Sequence, residues 1–217
     1  MKIQIEFFHD VLCAWCFAIS PRVHRLAQEN PDVEIIHRSF ALAPNPDAIA
    51  QIFGSKENGK REILNHWRMA NENDDEHRIN ADLMEQREFD YPYSIPGLLA
   101  CKASELQGGQ EMHWKMFDRI QKAHLVECLN IADFNVLKKC AEDIGLDVEK
   151  WEEDYNSETV FRNLAYDIEI AKHYGINGVP ALVANGRYGI IGAHKYETLE
   201  RWLNKVRSEL EKQANGG

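Results

Sequence analysis

Two cysteines separated by two residues, Cys13 and Cys16, are the residues whose type and spacing most clearly indicate chemistry in this chain. They follow an alternating apolar segment and stand at the start of a segment with helical periodicity. A thiol in the first turn of a helix meets unpaired backbone N–H groups and the positive end of the helix dipole. Both favour the thiolate, which is the form that attacks disulfides. The pair therefore predicts thiol–disulfide exchange, with Cys13 as the attacking thiol and the less exposed Cys16 as the resolving thiol.

Zinc binding is an alternative function for two cysteines at this spacing. A zinc site would need two more ligands, usually a second Cys-x-x-Cys or a closely spaced pair of histidines. The other cysteines, Cys101, Cys128 and Cys140, lie far along the chain at helical positions, and no histidine pair has zinc spacing. We therefore expect no metal and no cofactor, apart from glutathione as a co-substrate. The three remaining cysteines are predicted to be small buried residues.

The elements that position the cysteine pair can be predicted from hydrophobic periodicity. Ile3, Ile5 and Phe7 alternate with polar residues, which is typical of a strand. A helix follows from Ala14, and after the break at residues 30–32 a second strand runs from Val33 to Phe40. This order predicts a strand–helix–strand unit with the cysteines between its first strand and its helix.

Strand patterns are absent from residues 43–158, which favours a large all-helical insertion. Helical patterns cover residues 62–70, 98–125 and 131–144, and Gly108-Gly109 interrupts the second of them. Asn130 is the expected cap of the third.

The C-terminal part returns to alternating elements. Ser157 is the expected cap of a helix that ends at Gly175, and Gly178-Val179-Pro180 then leads into an apolar strand, Ala181–Ala184. Asn185-Gly186 joins this strand to the strand Tyr188–Ile191, which is the strongest short-range signal for a hairpin. A final amphipathic helix completes the pattern.

Three segments carry a resemblance to a known family: residues 7–17, residues 139–147 and residues 175–182. On these segments the chain resembles the DsbA family of the thioredoxin superfamily, in particular its FrnE-like cytoplasmic branch. The resemblance implies an α/β thioredoxin-like fold with a large helical insertion. The expected thioredoxin-like domain comprises residues 1–42 and 159–213, and the inserted helical domain residues 43–158.

The resemblance also implies dithiol oxidoreductase or isomerase activity and a role for three further residues. Pro180 corresponds to the cis-proline of the family, and Val179 before it presents its backbone to a substrate. Trp15 is expected to lie exposed beside the cysteines as an apolar substrate-binding surface. Expected partners are disulfide-containing proteins or small thiols such as glutathione.

The chain departs from the family pattern between the cysteines. Family members commonly have Pro-Trp there, and this chain has Ala14-Trp15; a Pro-rich stretch after the last strand is replaced by residues 194–197. Because the intervening dipeptide tunes thiolate stability, the change bears on reduction potential. We expect an intermediate or reducing potential rather than one near DsbA's value of about −120 mV.

Composition excludes several classes of function. The 217 residues carry a net charge of −10, and this acidity argues against nucleic-acid binding, which needs a basic surface. No apolar run approaches the roughly 20 residues of a membrane span, so no membrane association is expected. The N-terminal residues lack the apolar core of a signal peptide, which favours a cytoplasmic location.

Three residues before the cysteines could assist proton transfer. Glu6 alternates with Ile5 and Phe7 and is expected to be solvated or to cap a helix. His9 is expected to be structural or exposed, and Asp10 to stabilise the loop through backbone N–H groups.

Two other functions are compatible with the same pattern. Kappa-class glutathione transferases and 2-hydroxychromene-2-carboxylate isomerases resemble this chain in fold but generally have Ser where Cys13 stands. A non-enzymatic module that binds partners through its helical insertion is the third hypothesis.

Overall fold

A computed structural model describes residues 2–215. Four strands in this part of the chain form one sheet: β1 (Ile3–His9), β2 (Val33–Ser39), β3 (Ala181–Ala184) and β4 (Tyr188–Ile191). The order is β2-β1-β3-β4, with β1 parallel to β2 and antiparallel to β3, and with β3 antiparallel to β4. The predicted strand–helix–strand unit and C-terminal hairpin therefore share one sheet.

Helices account for most of the remaining described residues. In chain order they are α1 (Ala14–Glu29), α2 (Ala48–Phe53), α3 (Lys56–Asn73), α4 (Ala81–Glu85), α5 (Ser94–Leu125), α6 (Phe134–Asp143), α7 (Val148–Tyr155), α8 (Glu158–His173) and α9 (Tyr196–Asn215). None of them, within residues 2–215, combines the length and apolarity needed to cross a membrane. The six helices α2–α7 between β2 and α8 confirm the helical insertion, whereas its division into a separate domain stays a prediction.

Strand β1 is buried on both of its faces. Ile3, Ile5 and Phe7 point into the main core together with apolar residues of α1 and α5. On the opposite face, Phe8 packs against Ala181 and neighbouring apolar residues of β3 and α8. Because β1 is central in the sheet and covered on both sides, polar side chains on it are buried as well.

The expectation that Glu6 is solvated or caps a helix is wrong. Glu6 is only 6% exposed, and its carboxylate accepts hydrogen bonds from Arg38 Nε and from the Tyr174 hydroxyl, both at 2.8 Å. The physical reason is that the second face of β1 packs against α8 and the segment after it. Alternation in one strand does not reveal whether its other face is covered.

The helix boundaries in the insertion also differ from the expected ones. Helix α6 begins at Phe134 and is capped by Asp133, whose carboxylate accepts the Asn135 N–H at 2.9 Å. Asn130 instead accepts the Ala132 N–H in the preceding turn. Helix α3 is longer than the expected residues 62–70. The predicted interruption of α5 is confirmed at Gly109, whose φ of 63° and ψ of −150° suit only glycine.

Candidate active site

Cys13 is the N-cap residue of α1. Its backbone is extended, with φ −79° and ψ 106°, and its sulfur accepts the backbone N–H of Cys16 at 3.2 Å. The sulfur thus pairs with one of the N–H groups that the first turn of a helix leaves without a backbone acceptor. This is the position that the sequence predicted for the attacking thiol, and the same N–H would stabilise negative charge on the sulfur.

Cys16 differs from Cys13 in its surroundings. Cys16 is completely buried, whereas Cys13 is 5% exposed. Burial raises the pKa of the Cys16 thiol, with the neighbouring Cys13 sulfur as the next cause. In the part of the chain that the structure describes, no disulfide bond joins any of the five cysteines.

The loop before β3 meets the start of α1. The Val179–Pro180 peptide bond is cis, and the carbonyl oxygen of Val179 lies 3.6 Å from the sulfur of Cys13. The pairing of β3 with β1, which places Ala181 opposite Phe8, accounts for this approach. Residues separated by more than 160 positions therefore lie side by side.

Asp10 holds the loop between β1 and α1. Its carboxylate accepts the N–H of Leu12 at 3.0 Å, the N–H of Leu42 at 2.6 Å and the hydroxyl of Ser94 at 2.6 Å. Burial raises the pKa of Asp10 to about 6, against the lowering effect of these hydrogen bonds. The carboxylate thus organises the loop through backbone N–H groups, as expected from the sequence.

Gln121 of α5 is a second support of this loop. Its side-chain amide donates to the backbone oxygens of Cys13 at 3.0 Å and Asp10 at 3.3 Å. The side chain is completely buried. Nothing in the local pattern of the helix distinguishes Gln121 from a surface residue, so sequence reasoning missed it.

A cavity of ≈ 390 Å³ opens in front of Cys13. It is lined mainly by apolar side chains of the insertion and the active-site loop: Leu12, Trp15, Leu42, Ile49, Ile52, Phe53, Ile63, Trp67 and Tyr91. His66 and Val179 also contribute to its wall. Trp15 was expected to be exposed and is half-buried, because it packs against the insertion as well as facing the cavity.

A buried chain of hydrogen bonds supports one wall of this cavity. The Trp67 indole N–H donates to the Tyr91 hydroxyl at 3.1 Å, and that hydroxyl is 3.0 Å from Nε2 of His124. Because an indole can only donate, the Tyr91 hydroxyl donates to His124 Nε2. Burial lowers the pKa of His124 to about 3, so its ring is neutral and able to accept.

His9 is completely buried, and its Nε2 lies 2.9 Å from Nδ1 of His37 rather than on the Cys13 sulfur. Burial lowers the pKa of His9 well below its ordinary value. Of the two outcomes expected from the sequence, the structural one holds.

The combination of a helix-capping thiol, a second thiol one turn later and a facing Val-Pro loop agrees with a family comparison. The model of the DSBA-like thioredoxin domain matches residues 4–204. The chain belongs to this family. The family assignment and the fold expected from the sequence are therefore confirmed.

Curated relatives of this DSBA-like chain match at low identity. The chain is 28% identical over 183 residues to the ClpXP adapter protein SpxH of Bacillus subtilis (strain 168). That match covers 83% of this chain and 57% of the relative, so the chain spans a little over half of the relative's length.

Solved structures resemble nearly the whole fold of this DSBA-like chain. A Nitrosomonas europaea protein that bears the name protein disulfide isomerase superimposes with a TM-score of 0.77 at 22% identity, covering 96% of this chain and 99% of that one. The cytosolic disulfide reductase DsbM of Pseudomonas aeruginosa superimposes with a TM-score of 0.69 at 21% identity, covering 99% and 100%. At these identities the likeness concerns the fold alone.

Proposed function

We propose that this DSBA-like chain is a thiol–disulfide oxidoreductase in which Cys13 attacks and Cys16 resolves. The observation that carries the proposal is the position of the Cys13 sulfur. It caps α1, lies 3.2 Å from the Cys16 N–H, and faces an apolar cavity. A thiol with such a donor and such access is suited to nucleophilic attack on a disulfide.

The proposed reaction transfers two electrons to the substrate. The Cys13 thiolate attacks one sulfur of a substrate disulfide, and the other substrate sulfur leaves as a thiolate that takes up a proton. Cys16 then loses its proton and attacks the Cys13 sulfur, which releases the second substrate thiol. The protein ends with a Cys13–Cys16 disulfide, and two molecules of a thiol such as glutathione restore the dithiol by two successive exchanges that form glutathione disulfide.

The cavity supports a substrate with an apolar group next to its disulfide. Trp15 would contact that group, and the backbone around Val179 and Pro180 would align the substrate chain beside the sulfur. Disulfide-containing proteins or peptides fit this description better than small charged disulfides, because most of the lining is aliphatic or aromatic.

Mixed-disulfide trapping tests the proposal. Cys16→Ser should accumulate mixed disulfides with a peptide substrate, since the resolving thiol is missing. Cys13→Ser should abolish insulin reduction. Cys101→Ala, which removes a buried thiol of α5, is the matched control and should retain turnover. Retained turnover in Cys13→Ser would contradict the proposal.

The direction of electron flow in the proposed reaction is reductive. Ala14-Trp15 separates the cysteines in place of Pro-Trp, and the structural neighbour DsbM is called a cytosolic disulfide reductase. We therefore expect glutathione as co-substrate and a cytoplasmic location. Equilibration in glutathione buffers measures the potential, and a value near DsbA's of about −120 mV would contradict a reductive role.

A partner-binding role is the second candidate, because the curated relative SpxH is called a ClpXP adapter protein. Under that hypothesis the surface of α2–α7 would dock a partner, and the thiols would be dispensable. Replacing both cysteines with serine separates the two functions. In a strain that lacks this protein, failure of the double variant to restore the wild-type phenotype supports exchange chemistry. Full restoration supports docking.

A glutathione transferase or isomerase would use glutathione without net disulfide exchange. The sulfur of Cys13 stands where those enzymes generally have a serine hydroxyl, which favours exchange over this alternative. Conjugation of glutathione to an aromatic electrophile at a rate unaffected by Cys16→Ser would favour the transferase.

A further inference from the structure

Three histidines from separate elements meet in the core next to the active-site loop. His9 ends β1, His37 lies on β2 and His113 lies on α5, and each is completely buried. One ring nitrogen of each lies within 4.8 Å of one ring nitrogen from each of the other two. The sequence separations are large, which is why no spacing motif indicates this cluster.

Hydrogen bonding within residues 2–215 accounts for only half of the six ring nitrogens. His9 Nε2 and His37 Nδ1 are 2.9 Å apart, and His113 Nδ1 is 2.9 Å from Glu105 Oε2. In the described part of the chain, His9 Nδ1, His37 Nε2 and His113 Nε2 are buried with no partner. A buried polar atom without a partner costs about 1–3 kcal/mol, and His113 Nε2 is the member of this set whose lone pair is fixed by the hydrogen bond on the other ring nitrogen.

The protonation state of the cluster suits metal ligation. Burial lowers the pKa of all three histidines, so the rings are neutral near pH 7. A neutral imidazole offers a lone pair to a metal, whereas an imidazolium does not.

Glu105 orients His113 as carboxylates commonly orient metal-binding histidines, by accepting a hydrogen bond from the ring nitrogen that does not bind the metal. Because Glu105 accepts from Nδ1 of His113, the lone pair of that ring is on Nε2. Glu105 is itself held by Lys102 Nζ and by the Gln110 amide, both at 2.9 Å. The Gln110 side-chain oxygen accepts the backbone N–H of His37, which links the carboxylate to a second histidine.

The ammonium of Lys102, which holds Glu105, is itself paired with carboxylates. Lys102 pairs with Asp167 at 2.6 Å, and Arg38 pairs with both Asp167 and Glu6. Lys102 therefore faces two carboxylates, Glu105 and Asp167, which reduce the repulsion between its ammonium and an ion bound in the cluster.

We propose that His9, His37 and His113 bind one divalent transition-metal ion of the zinc class, with Glu105 as the carboxylate that orients His113. Imidazole nitrogens on a tetrahedral zinc ion are about 3.3 Å apart. The ring nitrogens lie within 4.8 Å of one another, and ligation would replace the His9–His37 hydrogen bond and require side-chain rotations that bring the three nitrogens to this spacing. The ion would join β1, β2 and α5 beside the active-site loop.

The test uses protein without an affinity tag in which Cys13 and Cys16 are both serine. This removes the two active-site thiols, which could also bind zinc, and makes the result independent of the proposed function. Because the histidines are buried, the protein is refolded with Zn²⁺ or Co²⁺ and then desalted. We expect one equivalent of bound metal by elemental analysis, and a Co²⁺ spectrum with d–d bands but no thiolate charge-transfer band.

His113→Gln in the same background should lose the metal, and His124→Gln, which removes a buried histidine outside the cluster, should retain it. If His113→Gln does not fold, Glu105→Gln replaces it and should weaken metal affinity by about 10–100-fold. The proposal is overturned if the parent retains no metal after refolding, or if both cluster variants bind it as tightly as the parent does.

Discussion

The carboxylate of Asp10 accepts the hydroxyl of Ser94 at 2.6 Å, which joins the active-site loop to the first turn of α5. The same hydroxyl oxygen accepts the backbone N–H of Ala43 at 2.9 Å. One buried side chain of the insertion therefore completes hydrogen bonds of both the loop before Cys13 and the segment after β2. The insertion is part of the scaffold of the active site and not only a cover over it.

Replacing Ser94 with Ala should lower the free energy of unfolding by about 1–3 kcal/mol. The change leaves the buried Ala43 N–H without an acceptor and removes one donor from the Asp10 carboxylate. Urea unfolding measures the loss. The control is Ser104→Ala in the same helix, since that buried hydroxyl donates only to the helical Ala100 oxygen, at 2.8 Å. Equal losses in both variants would show that the hydrogen bonds of Ser94 stabilise the fold no more than an intrahelical hydroxyl bond does.

Introducing a charge at the rim of the cavity should weaken peptide binding selectively. Ile52 lines the cavity and is 62% exposed, so Ile52→Glu should fold normally. We expect the KM for an apolar peptide disulfide to rise about 5- to 30-fold, equivalent to 1–2 kcal/mol of lost apolar contact. Turnover of hydroxyethyl disulfide, which is too small to span the cavity, should change little.

Ile191 provides a matched control for Ile52. It is 59% exposed on β4 and does not line the cavity. Ile191→Glu should leave both substrates unaffected. If it raised the peptide KM as much as Ile52→Glu does, general surface charge rather than the cavity would explain the effect.

The buried neutral state of His124 predicts acid sensitivity. Its pKa is about 3 in the folded chain, against an ordinary value of about 6.5 in the unfolded chain. The unfolded chain therefore binds a proton that the folded chain does not, and stability is lost as pH falls from about 6.5 to 3. Each such proton contributes about 1.4 kcal/mol per pH unit.

His124→Gln should reduce the slope of the unfolding free energy against pH, between pH 6 and 4, by about 1.4 kcal/mol per pH unit. This is the slope that one proton contributes. Its Trp67 and Tyr91 neighbours do not titrate in this range. Denaturant unfolding of metal-free protein at several pH values measures the slope. His173→Gln, at an exposed position of α8, should leave the slope unchanged. An unchanged slope in His124→Gln would mean that the folded and unfolded chains protonate His124 over the same pH range.

Removing the charge of Asp167 should be strongly destabilising. Its carboxylate, only 1% exposed, pairs with Lys102 at 2.6 Å and Arg38 at 3.0 Å and accepts the Ser39 N–H at 3.0 Å. Asp167→Asn leaves two largely buried cations with too little countercharge, and we expect a loss of about 3–5 kcal/mol. Thermal and urea unfolding measure it.

Asp82→Asn is the control for the Asp167 variant, because Asp82 is 84% exposed and pairs only with a surface arginine. We expect a change of less than about 1 kcal/mol there. A comparably small loss in Asp167→Asn would show that Lys102 is adequately neutralised by Glu105 alone.

Local patterns predicted the elements that carry the two thiols. The alternation before Cys13, the helical periodicity after it and the Asn185-Gly186 turn are each determined by residues a few positions apart. They therefore predicted the strand order in the chain and the position of Cys13 at a helix start. The position of Pro180 directly before β3 was also evident, since its strand and turn are adjacent in sequence.

The side chains that support the active-site loop were decided by tertiary structure alone. Gln121 and Ser94 lie far from Cys13 in sequence and have no pattern that marks them as loop supports. Glu6 was misplaced because alternation in β1 does not show that α8 covers its second face.

The cysteine pair was thus determined by the sequence, because a thiol's position at a helix start depends on local backbone geometry. The histidine cluster was not, because His9, His37 and His113 come together only when β1, β2 and α5 pack. Spacing rules detect ligands carried on one element or one turn. Ligands that come from three elements are brought together by the burial of apolar faces, which acts between segments that are distant in the chain.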